Sequence, residues 1–313
     1  VTNCHGQGAE TIMRAEALFY QGHVTDAHIE LERAYAQVGG NGQINMALCC
    51  DFLSWRLSLH TDVERRYTFS ERYAALLRYH DASWINIWSA TSAYYHALRG
   101  ETDKIPEIFS QHRLSDIHLL VPGKPMMEMI ENQVYLAQGA YAKVVGRSAE
   151  LLAACEAMHY ALVALHIRVQ TAAAYARLGK PETAHTWLQK ALSDAGPDGL
   201  VMPFAENYSL LKPLLARETR SAFAARITAL GEAAQARGAE RLRPAAFRAL
   251  TAREFEIVEL MAQRLSNREI AQKCYLSEGS VKQYVNQIYS KLHIEGDTRT
   301  KRAQLAALLH EKT

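Results

Sequence analysis

Residues 22–34 and 179–191 share one spacing, G-x4-A-x3-L-x2-A, carried by Gly22, Ala27, Leu31, Ala34 and by Gly179, Ala184, Leu188, Ala191. Upstream of each glycine an amphipathic stretch sets Ala15 and Leu18, or Ala172 and Tyr175, at helical intervals. The arrangement describes a helical hairpin. Glycine takes a positive φ without steric penalty and ends the first helix in a tight turn. The small alanine lets the second helix approach the first, and leucine fills the layer beneath. Weaker copies stand at Gly100, with Ile105 and Phe109, and at Gly139, with Val144. Glycines 100, 139 and 179 lie 39 and 40 residues apart and 22 to 100 is 78, so a degenerate unit is expected near 59–79. A period of this length predicts a stacked helical array over most of residues 9–236.

The rest of the chain is equally helical in character. Only 8 prolines and 17 glycines punctuate 313 residues, and β-branched residues seldom alternate with polar ones, which predicts an all-α fold. With 49% hydrophobic and 22% charged residues the chain can bury a sizeable core, and its length suits about two domains. No apolar run approaches the ~20 residues of a membrane helix, so no membrane partner is expected. Five scattered cysteines without a C-x-x-C pair predict buried, reduced thiols in a cytoplasmic protein. Trp84, Trp88 and Tyr95 share one helix face, with Tyr94 beside them, and are read as core packing rather than a ligand cage. His159 and His166 have no carboxylate at ligand spacing, so no metal is expected. The first residues lack a basic segment followed by an apolar run, so no secretory signal is expected. The chain opens at Val1 without an initiator methionine, and is expected to be the C-terminal part of a longer one.

Charge and pattern change toward the C-terminus. Residues 237–313 hold 14 Lys and Arg against 9 Asp and Glu, whereas residues 1–236 hold 21 against 24. A basic end on a weakly acidic body suits a polyanionic partner. Thr251 with Glu254 and Ser266 with Glu269 form two capping boxes that fix two helix starts. Phe255, Val258, Met261 and Ala262 give the first helix its apolar positions, and the second runs to about Lys273. After Cys274-Tyr-Leu276, Ser277 caps a third helix over about 278–292, with an apolar stripe at Val281, Val285, Ile288 and Leu292. The opposite face carries Gly279, Gln283, Asn286 and Ser290, flanked by Lys282 and Gln287, and no carboxylate. Helix, tight turn and helix with one polar, basic face is the helix-turn-helix arrangement, here at about 265–284. Gln or Asn can pair bidentately with adenine, Lys can reach guanine acceptors or phosphate, and helix starts at Ser266 and Ser277 offer amide donors to phosphates.

The runs Leu250-Thr-Ala-Arg-Glu254, Leu265-Ser-Asn-Arg-Glu-Ile-Ala271 and Ser280-Val-Lys282 through Ile288 to Lys291-Leu292 resemble the LuxR-type DNA-binding domain, a four-helix module of bacterial transcription regulators. The resemblance covers about 65 residues, 247–313, after a linker expected at 237–246. It implies a scaffold helix at 265–273 and a recognition helix at 278–292, with Lys282, Gln283 and Asn286 as the principal groove contacts. Ser266, Asn267, Arg268, Ser277, Ser280, Gln287 and Lys291 complete the implied DNA-binding set. A last helix at about 300–310, with Leu305, Leu308 and Leu309, resembles the one that members use to dimerise on DNA. Arg264 stands where the family usually has glycine, Tyr284 replaces a common histidine, Gln287 a common asparagine and Ser280 a common threonine. If position 264 is left-handed, an arginine there costs ~1–2 kcal/mol.

A repeat array ahead of such a module is similar to the MalT-like, large ATP-binding branch of the family, and the repeats resemble tetratricopeptide units. No G-x-x-x-x-G-K-[ST] loop occurs in the sequence. ATP therefore enters only through an upstream module that this sequence lacks, and no cofactor is expected here. The expected function is a sequence-specific transcription regulator, not an enzyme. Its partners would be double-stranded DNA, RNA polymerase, and an effector or protein on the array, with a second copy on DNA. The alternative is an interaction scaffold whose DNA module is dispensable. A phosphoacceptor response regulator would need β-strands ending in aspartates, and residues 1–236 read as helices only.

Overall fold

A computed structural model describes residues 6–38, 43–62, 65, 67–79, 82–117, 123–241 and 245–310. The described residues form helices and no strand, as the composition requires. The chain divides into two compact units, Val1–Gln235 and Ala236–Thr313.

The first unit opens with α1 (Ala9–Tyr20), α2 (Val24–Val38), α3 (Ile44–His60), α4 (Phe69–Leu76), α5 (Ala82–Leu98) and α6 (Glu107–Ser110). It continues with α7 (Lys124–Ala137), α8 (Tyr141–Ala157), α9 (Ala161–Arg177) and α10 (Pro181–Ala195). Two short helices, α11 (Met202–Glu206) and α12 (Tyr208–Leu215), lead into α13 (Ala222–Arg241). The repeated spacing has its expected consequence. Gly22, Gly100, Gly139 and Gly179 adopt φ of 82°, 71°, 76° and 71°. Each sits in a Schellman turn; the His23 and Lys180 amides, for example, donate to the carbonyls of Leu18 and Tyr175 at 2.9 and 3.0 Å. Ala27, Leu31, Ala34, Ala184, Leu188 and Ala191 are all buried in one core. Around residues 59–79 the regularity lapses. There the capping box of Thr68 and Glu71 starts α4, which is only eight residues long and runs into a single 3-10 turn.

From α1 to α3 and from α4 to α10 successive helices pack in order, and then the stack closes on itself. α11 packs against both α9 and α1. A side chain at Gly22 would meet Leu230 and Val201 at 2.7 and 2.8 Å, and Arg226 donates to the Gln21 carbonyl at 2.8 Å. Inside this closure Arg56 and Glu206 form a bidentate ion pair at 2.7 and 3.0 Å. Both side chains are buried. Tyr94 donates to Glu206 at 2.9 Å, and Arg56 donates to the Tyr20 hydroxyl at 2.8 Å. The guanidinium also lies 4.6 to 5.6 Å from the ring centres of Phe19, Tyr20, Phe52 and Tyr94. Burial works against the charge of Glu206, and Arg56 outweighs it, holding the carboxyl below its ordinary range. His166, edge-on to Tyr20, is pushed down to about 3 by burial and by Arg56.

Trp88, Tyr94 and Tyr95 are buried, and Trp84 packs half-buried against the cluster of Trp55 and Trp88. Three thiols, Cys50, Cys155 and Cys274, are buried as expected, whereas Cys49 is exposed. Its neighbour in sequence is the inward one, because adjacent residues on a helix diverge by about 100°. Cys4 lies outside the described residues. Part of the expected linker is a helix: α13 runs on to Arg241, since one glycine at 238 does not stop a segment otherwise rich in Ala, Glu, Gln and Arg. Residues 242–244 lie outside the described residues.

Candidate nucleic-acid interface

The second unit holds α14 (Ala252–Ala262), α15 (Asn267–Cys274), α16 (Glu278–Lys291) and α17 (Thr298–His310). Its core is apolar and shared by all four helices, with Phe247, Ile257, Val258, Ile270, Val281 and Ile288 fully buried. Ala262, expected on the apolar side of α14, is exposed and Ile257 takes that role.

The caps act as the spacing dictates. Thr251 and Glu254 bond reciprocally at the start of α14, at 3.2 and 2.7 Å. Ser266 and Glu269 do the same at α15, at 3.3 and 2.7 Å. These bonds hold the Glu269 carboxyl below its ordinary range. Ser277 accepts from the Ser280 amide at 3.0 Å and its hydroxyl meets that of Ser280 at 2.8 Å. The side chains of Ser266, Ser277 and Ser280 are therefore engaged in capping, which leaves backbone amides as what these helix starts can offer a phosphate. Between α15 and α16 the chain turns at Tyr275, φ 54° and ψ 44°, and the Leu276 amide closes the turn on the Ala271 carbonyl at 2.9 Å. Arg253 reinforces it by donating to the Cys274 carbonyl. Arg264 is indeed left-handed, with φ 62°.

On α16 the two faces separate cleanly. Val281, Ile288 and Tyr289 are buried and Val285 and Leu292 half-buried, while Gly279, Lys282, Gln283, Asn286, Gln287 and Ser290 are exposed. A side chain at Gly279 would meet only the Ser277 hydroxyl at 3.7 Å. Packing within the molecule does not demand a glycine there. Arg268 on α15 is exposed as well.

Other expected contacts are differently engaged. The Lys291 ammonium lies 2.8 Å from both carboxylate oxygens of Glu254, whose side chain is 3% exposed. Burial opposes the charge on Glu254, but Lys291 and the Thr251 cap prevail and hold its carboxyl below the ordinary range. Lys291 thus ties the end of α16 to the start of α14. Asn267 is half-buried and accepts from Arg302 at 3.3 Å, and Arg302 also donates to the Leu265 carbonyl at 3.3 Å. Lys301 lies 5.5 Å from the Tyr289 ring centre. Leu305, expected at a dimer contact, is 2% exposed and belongs to the module's own core, because α17 packs its apolar stripe on α14. Leu308 and Leu309 are half-buried against the same core. Sequence reasoning missed Arg253 and Arg302 as tethers between helices, since each reaches a backbone carbonyl, which leaves no trace in residue type, and Asn267 lies 35 residues from Arg302.

Among the described residues no group of His, Cys, Asp and Glu could hold a metal, and no helix is long and apolar enough to cross a membrane. What α16 presents is a stiff row of amides and one ammonium, a surface able to read base edges.

Comparison with known proteins agrees with this geometry. A stretch of 50 residues, 16% of the chain, is 44% identical to the transcriptional regulatory protein LnrK of Bacillus subtilis (strain 168). The match spans 23% of that relative's length. No solved structure matches the chain. Residues 248–303 match the family of bacterial regulatory proteins, luxR family, and the C-terminal module is therefore a LuxR-family helix-turn-helix domain.

Proposed function

We propose that the chain is a sequence-specific transcription regulator whose α16 enters the major groove while the start of α15 faces the phosphate backbone. The observation that carries this reading is the exposure of Lys282, Gln283, Asn286 and Gln287 on one capped helix whose opposite face is buried. Gln283 and Asn286 read bases, Lys282 meets guanine or phosphate, and Arg268 with the amides of Asn267 and Gly279 positions the backbone. Two copies bind two half-sites about 34 Å apart, with Leu308 and Leu309 of α17 facing the second copy. On this reading the helical array is of tetratricopeptide type and receives an effector or partner protein, as in the MalT-like branch that the sequence resembles. The luxR-family match and the transcriptional regulatory relative support the DNA-binding part of this reading.

The test is fluorescence anisotropy with duplexes selected from a random library against unselected duplex. Gln283→Ala and Asn286→Ala should each weaken selected sites by ~1–3 kcal/mol and leave unselected DNA unchanged. Lys282→Ala should lower the salt slope by about 0.9 if it meets phosphate. No binding to either duplex at low salt would overturn the proposal and favour an interaction scaffold.

A further inference from the structure

A cavity of about 1030 Å³ opens in the first unit where α1 faces the α8–α9 hairpin. α1 packs against α2, α3 and α11, and α8 packs against α7 and α9; both line the cavity. Its walls are largely apolar, formed by Met13, Leu152, Ala153, Ala161, Leu162 and Leu165. Met13 and Leu162 are 68% and 36% exposed, an unusual setting for large apolar side chains unless something covers them.

The charge around these walls is mostly negative. Glu16, Glu156, Asp194 and Asp198 line the cavity against one guanidinium, Arg168, and the imidazole of His159. Arg168 is already paired with Asp194 at 3.1 Å. Among the described residues no cation lies in ion-pair contact with Glu16, Glu156 or Asp198. Glu16 is the innermost of the three, half-buried on α1 one turn before Tyr20. Burial lifts its carboxyl above the ordinary range, and Arg56 only partly offsets that. Arg56 is itself committed to Glu206, so among the described residues Glu16 has no ion-pair partner of its own.

Four kinds of occupant can be compared. An anion would face unpaired carboxylates, and a neutral apolar molecule would bury Glu16 further without compensation. An organic cation with an apolar body answers both features at once. The volume is that of one drug-sized molecule, for which ~300–1000 Å³ is typical. A basic peptide would need matching carboxylates along a longer groove. We infer that this cavity is a binding site for an amphiphilic organic amine, with its ammonium against Glu16 and its hydrocarbon part against Leu152, Leu162 and Leu165. The inference rests on the reading of the array as the effector-receiving part, and gives that effector a chemical class.

The experiment is isothermal titration calorimetry of the full chain with n-hexylamine, 1-hexanol, hexanoate and spermidine. Hexylamine should bind at one site, hexanol and spermidine more weakly, and hexanoate not at all. Glu16→Gln should weaken hexylamine by about tenfold or more, the worth of one charge-assisted hydrogen bond, and leave hexanol unchanged. Leu162→Arg, at an exposed wall position that tolerates substitution, should abolish hexylamine binding by placing a resident cation in the cavity. Equal affinity for hexylamine and hexanol, indifference to both substitutions, or no heat with any probe would overturn the inference. So would binding of a Lys-Leu repeat peptide, sensitive to Glu16→Gln, in the absence of hexylamine binding. DNA affinity measured on the same preparations separates the two readings. Failure with amines while DNA binding persists would sink only this site, and loss of DNA binding with amine binding intact would sink only the regulator.

Discussion

Replacing Lys291 by methionine separates a structural role from a DNA contact. The substitution keeps the apolar stem and removes the ammonium that lies 2.8 Å from both oxygens of Glu254. Breaking a fully buried ion pair costs ~3–5 kcal/mol, because one charge is left without compensation. Glu254 is buried at 3% exposure, but Lys291 is 40% exposed and water already screens the pair. Thr251 also keeps its 2.7 Å amide bond to the carboxylate. The expected loss is therefore ~1–2 kcal/mol, nearer to a good partly exposed pair than to a buried one. Hydrogen exchange by mass spectrometry on the full chain reads this locally. Protection of α14 and α16 peptides should fall by a factor of about 5–30, while peptides of the first unit stay unchanged. The Glu254 carboxyl is held below its ordinary range, so its stabilising share is complete above the unfolded value of about 4.3 and disappears as pH falls through the folded value. In Lys291→Met that loss should be smaller and end at higher pH, because the folded value moves up toward the unfolded one. The salt dependence of DNA binding should not move. Unaltered protection together with a slope reduced by about 0.9 would refute this reasoning and make Lys291 a phosphate contact.

Two further outcomes concern the first unit. Gly22→Ala and Gly179→Ala both place a Cβ at positive φ, but only Gly22 would clash, with Leu230 and Val201, whereas nothing lies within 4 Å at Gly179. Urea unfolding should show ~1–2 kcal/mol lost at 179 and ~2–4 at 22; equal losses would contradict the close approach. His166, held at about 3 in the fold, binds its proton first in the unfolded chain, at about 6.5. Stability is thus complete above that value and should decline between pH 6.5 and 4.5 by up to about 1.4 kcal/mol per pH unit. His96 is also lowered by burial, so the decisive quantity is the difference in slope from His166→Gln, which should be shallower; parallel profiles would refute the assignment.

What could be read from the residues alone was whatever is local. Thr251 with Glu254 and Ser266 with Glu269 announce helix starts because both partners of each cap lie within one turn. Gly22 and Gly179 announce turns because their backbone conformation is their own property. The polar face of α16 was legible for the same reason, since Gln283 and Asn286 share a helix face by geometry. Pairings across the fold left no such mark. Arg56 and Glu206 are 150 residues apart, and Lys291 looks like any exposed lysine until α14 is placed beside it. Leu305 shows the limit in another way: a stripe of leucines on α17 says that a partner exists, and only packing shows that the partner is α14.

The contact of α11 with α1, and of Gly22 with Leu230, removes the free ends that a linear array would have. In a linear array each unit feels only its neighbours, and melting can creep inward from a fraying terminus. Here the first hairpin is also a neighbour of the last helices of the unit. Unfolding of this body should be concerted, and an effector seated in any one seam would tighten or loosen the whole circuit.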